Sequence, residues 1–188
     1  MVRSFEDRPL PAGVLDALLQ SAVRAPSAGF TQGWAFVALE GHDQTAPFWD
    51  HTLPEEDRAG FAWPGLLNAP ALVIPLAHKD AYLARYAEAD KADTALAVEA
   101  EWSVPYWDVD CAFATMLMLL TAVDSGLGAL FFAIARGREE LLADLGVPAG
   151  YRPIGAIAVG YPAIDDRPSH SPRRGRRPLD DVVHRGRW

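Results

Sequence analysis

The chain of 188 residues has one cysteine, Cys111. A lone thiol excludes an internal disulfide and any Cys-rich metal site. Lysine is nearly as scarce. Only Lys79 and Lys91 occur, so arginine supplies almost all the positive charge. Long apolar runs are missing too. The longest, Cys111 to Val123, is interrupted by Thr115 and Thr121 and falls short of the roughly 18 residues that a bilayer span needs. The opening MVRSFEDRPLP has no apolar signal core. A cytoplasmic setting with no membrane partner is the expectation. A net charge of −8 weighs against nucleic acid as a partner.

Chemistry-bearing motifs are also absent. Gly126-Leu127-Gly128 begins like a dinucleotide fingerprint, but Phe131 stands where a small residue is required. There is no phosphate-binding glycine loop and no nucleophile elbow. The five histidines, His42, His51, His78, His170 and His184, lack metal-ligand spacing. Asp108 and Asp110 read as favourable first-turn acids of a long helix rather than as a catalytic pair. A chain without an acid, base, nucleophile or metal constellation fits chemistry that belongs to a bound cofactor.

What is present alternates between helix and strand. Half the residues are hydrophobic, enough for a substantial core. Helical spacing runs through Val14, Leu15, Leu18, Leu19, Ala22 and Val23, with Pro11 placed in the first turn and Pro26 near the stop. Residues 34–39 and 71–77 read as strands, with Pro75 assigning the second to an edge or a bulge. Residues 41–65 read as loop with one short helix, and 80–101 as a helix with an acidic face. Residues 108–125 read as the main core helix, apolar nearly all round and therefore buried on most sides, with Gly126 as its cap. Strands follow at 129–134 and 154–159, around a short helix at 138–145. From Pro162 the chain turns basic and proline-rich, and is expected to travel over another surface. The pattern is α+β, with one domain over 1–188, a variable aromatic-rich region at 41–107 and a basic extension at 162–188.

Five segments, in order, resemble the nitroreductase family. They are Arg3-Ser4-Phe5 with Asp7, Pro9 and Pro11; Arg24-Ala25-Pro26-Ser27-Ala28-Gly29-Phe30-Thr31-Gln32-Gly33-Trp34; Gly126-Leu127-Gly128-Ala129; Leu145-Gly146-Val147-Pro148 through Gly160-Tyr161-Pro162; and the basic stretch Arg173 to His184. Each is weak alone, but the ordered set covers nearly the whole chain.

The resemblance implies a mostly antiparallel sheet flanked by helices, a long buried central helix, and a homodimer with exchanged C-terminal tails. It implies FMN as cofactor, NAD(P)H as electron donor, and a small aromatic or quinone-like acceptor such as a nitro compound. Arg174 and Arg176 fall where the family binds the FMN phosphate, a role suited to permanently charged, bidentate guanidinium groups. Arg3 matches a basic residue near the flavin ring. Pro26, Ser27, Ala28 and Gln32 match the turn beside the ring, and Leu130 and Phe131 the strand facing it. Phe30, Trp63, Trp102 and Trp107 are expected to line the substrate pocket. Without the resemblance, the arginines read as a solvated tail, and the clustered tryptophans and tyrosines either as ordinary core or as a stacking wall or lid over a flat substrate.

Three departures stand out. The family's Arg-Arg-Ser opening has no counterpart ahead of Met1: either the start is assigned too late, or the sequence is shortened, or the phosphate site is weakened. Phe30 replaces the usual asparagine, and Gly33 the usual proline. Alternative readings are a specialised flavin or deazaflavin biosynthetic oxidoreductase, a non-catalytic flavin-binding dimer, and a basic-tail anchor.

Overall fold

The computed structural model describes residues 1–188. Five strands are present: β1 (Trp34–Glu40), β2 (Ala71–His78), β3 (Gly128–Phe132), β4 (Tyr151–Pro153) and β5 (Ala156–Gly160). They form one sheet in the order β1-β2-β5-β3, with β4 also paired to β2. Every pairing is antiparallel. The helices are α1 (Val14–Ala22), α2 (His42–Thr52), α3 (Glu55–Arg58), α4 (Lys79–Tyr86), α5 (Tyr106–Asp124) and α6 (Arg138–Asp144).

Strand alternation explains why helices cover both faces. Ala71 and Val73 of β2, with Ile157 and Val159 of β5, face one side and pack with Leu15 and Leu18 of α1 and Ala114, Met118 and Ala122 of α5. Leu72, Ile74 and Leu76, with Ala156 and Ala158, face the other side and meet Phe48 and Trp49 of α2 and Leu141 of α6. A strand buried on both faces reads as a continuous apolar run, as β2 does.

Several sequence expectations are corrected. Pro75 does not mark an edge, because β2 lies between β1 and β5. Its carbonyl accepts from Ile154 N–H, so its missing N–H points to the same side, where Ile154 and Gly155 interrupt the ladder between β4 and β5. The last strand accordingly begins at Ala156. Residues 41–65 hold two helices, with Pro47 inside α2. The helix expected over 80–101 lasts only through Tyr86. Arg85 turns its guanidinium onto Glu88 and Asp90 and donates from Nε to the Gly29 carbonyl, folding the following acidic residues back as short turns. Pro11 sits in a turn ahead of α1, with Val14 N–H bonded to the Pro11 carbonyl.

The longest helix differs most from expectation. Its cap is as read: Gly126 adopts φ 73°, and the N–H groups of Gly126 and Leu127 close onto the carbonyls of Val123 and Ala122. Its burial is one-sided. Trp107, Cys111, Ala114, Met118 and Ala122 are buried, while Phe113, Met116, Leu120 and Val123 are exposed along one stripe. Nineteen residues of mean hydropathy 1.3 are by themselves long and apolar enough to cross a bilayer, contrary to the reading from the interrupted run. Packing of its other face against α1 and the sheet makes it a core helix. Residues 171–188 are exposed throughout.

Candidate functional site

The segment Pro26 to Gln32 leaves α1 and turns sharply before β1. Phe30 and Gln32 have φ values of 53° and 52°, a left-handed conformation that side chains other than glycine and asparagine seldom adopt. The turn is held by hydrogen bonds from both sides. Gln32 N–H donates to Ser27 Oγ at 2.9 Å, and Thr31 Oγ1 donates to the Ala28 carbonyl at 2.6 Å. Beneath it lies Asp110, only 2% exposed. Its Oδ2 accepts from Ala28 N–H and from the Tyr82 hydroxyl, each at 2.8 Å.

Asp110 is the residue that sequence reading missed. Asp108 does behave as a first-turn acid, half-buried and paired with Arg152, but Asp110, two residues further along, is a buried anchor. The only signal was an acid directly ahead of the long apolar run. Burial, followed by the Asp110 hydrogen bond, pushes the Tyr82 phenol far above its ordinary value. The hydroxyl therefore remains a donor at any ordinary pH. Cys111, next along α5, has its thiol pushed up to about 12 by burial, which keeps it inert.

Gly33 gains a reason from this packing. A Cβ there would lie 2.4 Å from Tyr82 Cε2. Gly33→Ala should cost about 1–3 kcal/mol through overpacking and lower the thermal midpoint by about 5 °C. An unchanged midpoint in thermal denaturation would show that Tyr82 can yield. Phe30 is 76% exposed, so neither packing nor backbone preference accounts for it. Phe30→Asn should relieve the left-handed strain and stabilise the fold by about 0.5–1 kcal/mol in urea titration. A loss of stability would mean that the ring packs somewhere.

Trp102 and Ala28 meet on one cleft, with Tyr86 and Tyr106. Trp107 packs behind Trp102, with ring centroids 5.9 Å apart, in a small core shared with Tyr82 and Cys111. Trp63 belongs to a different cluster, where the Arg3 guanidinium lies 5.2 Å from its ring. Asp166 accepts from the backbone N–H groups of Arg3 and Ser4 at 2.8 Å and fixes this end of the chain.

Leu130 and Phe131 lie on β3, an edge strand. Leu130 is paired in the ladder with β5, and its side chain is in the core. Val2 N–H donates to the Ala129 carbonyl from outside the sheet. Alternation along an antiparallel strand therefore aims the N–H and C=O of Phe131 at the same open edge. Arg174 and Arg176 lie on the exposed tail and make no ion pair. Within one chain they are not brought against the turn.

The profile of the nitroreductase family matches residues 1–161. The chain belongs to the nitroreductase family. Similar proteins include an NADH dehydrogenase of Thermus thermophilus, 27% identical over 97% of this chain and 89% of the relative. An NADPH-dependent oxidoreductase of Staphylococcus aureus is 24% identical, over 100% of this chain and 70% of the relative. Among solved structures, an FMN-dependent nitroreductase of Clostridium difficile shares the fold with a TM-score of 0.68, at 18% identity over 100% of this chain and 94% of that one. This nitroreductase-family fold is the one expected from the five ordered sequence segments.

Proposed function

We propose that the chain is an FMN-dependent oxidoreductase that acts as a homodimer, taking electrons from NAD(P)H and passing them to a small aromatic or quinone-like acceptor such as a nitro compound. The observation that carries the reading is the turn Ala28–Gln32: strained at two positions, anchored by a buried carboxylate, and bearing an exposed Phe30. Strain held in place by a buried anchor is characteristic of ligand-contacting segments. Support also comes from family membership and from the names of the similar proteins.

The residues present suit such a cofactor. The free N–H and C=O of Phe131 offer a donor and an acceptor to the polar rim of a flat heterocycle. Arg3 supplies positive charge beside Trp63. Arg174 and Arg176, free of carboxylate partners, suit a phosphate dianion. A bound flavin would supply reversible two-electron chemistry, which no side-chain constellation here provides.

The dimer reading rests on the stripe Phe113, Met116, Leu120 and Val123, whose spacing repeats the i, i+3, i+7 pattern of a helix face made for another helix. The exposed tail, with Leu179, Val182 and Val183 uncovered, suits exchange across the same dimer and would carry Arg174 and Arg176 to the partner's turn.

The test is the visible spectrum of the purified protein, with identification of the cofactor released on denaturation. FMN near one equivalent per subunit, bleached anaerobically by NADH or NADPH, is the expected result. A protein that neither carries nor takes up FMN overturns it. Arg176→Ala should weaken FMN binding about 10- to 100-fold, as expected for loss of a charge-assisted hydrogen bond, with the thermal midpoint of the apoprotein unchanged. Equal affinity in a fluorescence titration would reject the phosphate role.

A further inference from the structure

The cleft beside the turn has a volume of about 340 Å³ and is lined by Ala28, Tyr86, Leu96, Glu101, Trp102 and Tyr106. That is the size of a small-ligand site. Its walls are mutually tilted aromatic rings. Tyr86 and Trp102 lie 4.8 Å apart at 76°, and Trp102 and Tyr106 lie 5.8 Å apart at 56°. Trp102 is fixed in this pose, since its Nε1 donates to the Leu96 carbonyl at 2.6 Å. Rings set at such angles form a corner rather than a parallel stack.

The charge around the cleft has one sign. From Lys79 to Asp110 the chain carries eight acids and three bases. Two of those bases are already committed, Lys79 to Glu99 and Arg85 to Glu88 and Asp90. Glu101, on the cleft wall, has no ion-pair partner. The third base, Lys91, holds its ammonium 5.8 Å from the Tyr86 ring centroid. The chain's own cation therefore already rests on one of these rings.

We infer that this cleft binds flat aromatic cations, ring systems bearing an N-alkyl or protonated ring nitrogen, in preference to neutral rings of the same shape. An aromatic corner with an unpaired carboxylate stabilises a delocalised positive charge through the ring quadrupoles and through Glu101, while the apolar ring stacks. A neutral nitroaromatic or quinone gains only the stacking. The inference deepens the proposed function, because Ala28 belongs to the turn assigned to the cofactor, and it names the acceptor class that the adjoining cleft favours.

Isothermal titration calorimetry on the purified protein tests it, with 1-methylquinolinium as the cation and quinoline at pH 8 as its neutral counterpart. Flavin content is read separately from visible absorbance, so loss of the cofactor reading and loss of the cation preference are distinct results. The expected outcome is tighter binding of the quinolinium by about tenfold. Glu101→Gln, an exposed and conservative change, should abolish most of that preference and leave quinoline affinity unchanged. Tyr86→Leu should weaken the cation more than the neutral ring. Equal affinity for the two compounds, no binding of either, or an unchanged preference in Glu101→Gln overturns the proposal.

Discussion

Asp110→Ala is expected to lower stability by about 3 kcal/mol, because it leaves two polar groups without their acceptor where water has little access. These are the Tyr82 hydroxyl and the Ala28 N–H, both bonded to the same carboxylate oxygen. For a chain of this size the thermal midpoint should fall by about 6–12 °C. Flavin affinity should fall as well, since the turn that Ala28 begins would lose its anchor. Tyr82→Phe removes one of the two donors. The double variant Tyr82→Phe/Asp110→Ala should therefore lose less than the sum of the single losses. Additive losses would mean that Asp110 and Tyr82 do not act as a unit, and an unchanged midpoint in Asp110→Ala would end the anchor role altogether.

Met116→Asp/Leu120→Asp is expected to convert a dimer into a monomer. Both side chains are more than half exposed in the single chain, at 52% and 58%, so the subunit fold should tolerate the change. Burying each against a second copy would contribute about 1.5–3 kcal/mol. Losing both should raise the dimer dissociation constant by a factor on the order of 10³ before any cost of burying charge. Sedimentation velocity at micromolar concentration reads the outcome, with circular dichroism confirming that the helices persist. FMN should be lost together with the dimer if the tail arginines reach across it. A wild-type monomer, or a variant that still dimerises, would sink the proposal that this stripe is the subunit interface.

The two variants probe two of the places where local reading and tertiary structure part. A period of 3.6 with apolar residues at almost every position signals burial all round. Applied to α5 it hides the fact that one stripe has no partner within the chain, because composition reports affinity for an apolar neighbour and not which molecule supplies it. Asp110 fails the local reading for the opposite reason. An acid near a helix start is ordinarily explained by the helix dipole. Here its partners stand 28 and 82 residues away in sequence, and only the fold brings them to one oxygen. The acidic segment after Tyr86 shows a third limit. Its helical spacing is real, yet the pairing of Arg85 with Glu88 and Asp90 closes the chain on itself.

The sequence by itself determined the α+β class, the strands over 34–39 and 71–77, the exit of the first helix toward Pro26, the glycine cap of the long helix at Gly126, and the family. Each of these depends on residues close in the chain, or on motifs whose order alone is diagnostic. Only the tertiary structure decided that Asp110 is an anchor, that Gly33 is small because Tyr82 occupies the space, that Phe131 faces an open strand edge, and that Trp102 lines a cleft while Trp107 stands behind it. Those are properties of contacts between distant segments, and they exist only once the sheet and its helices have closed around them.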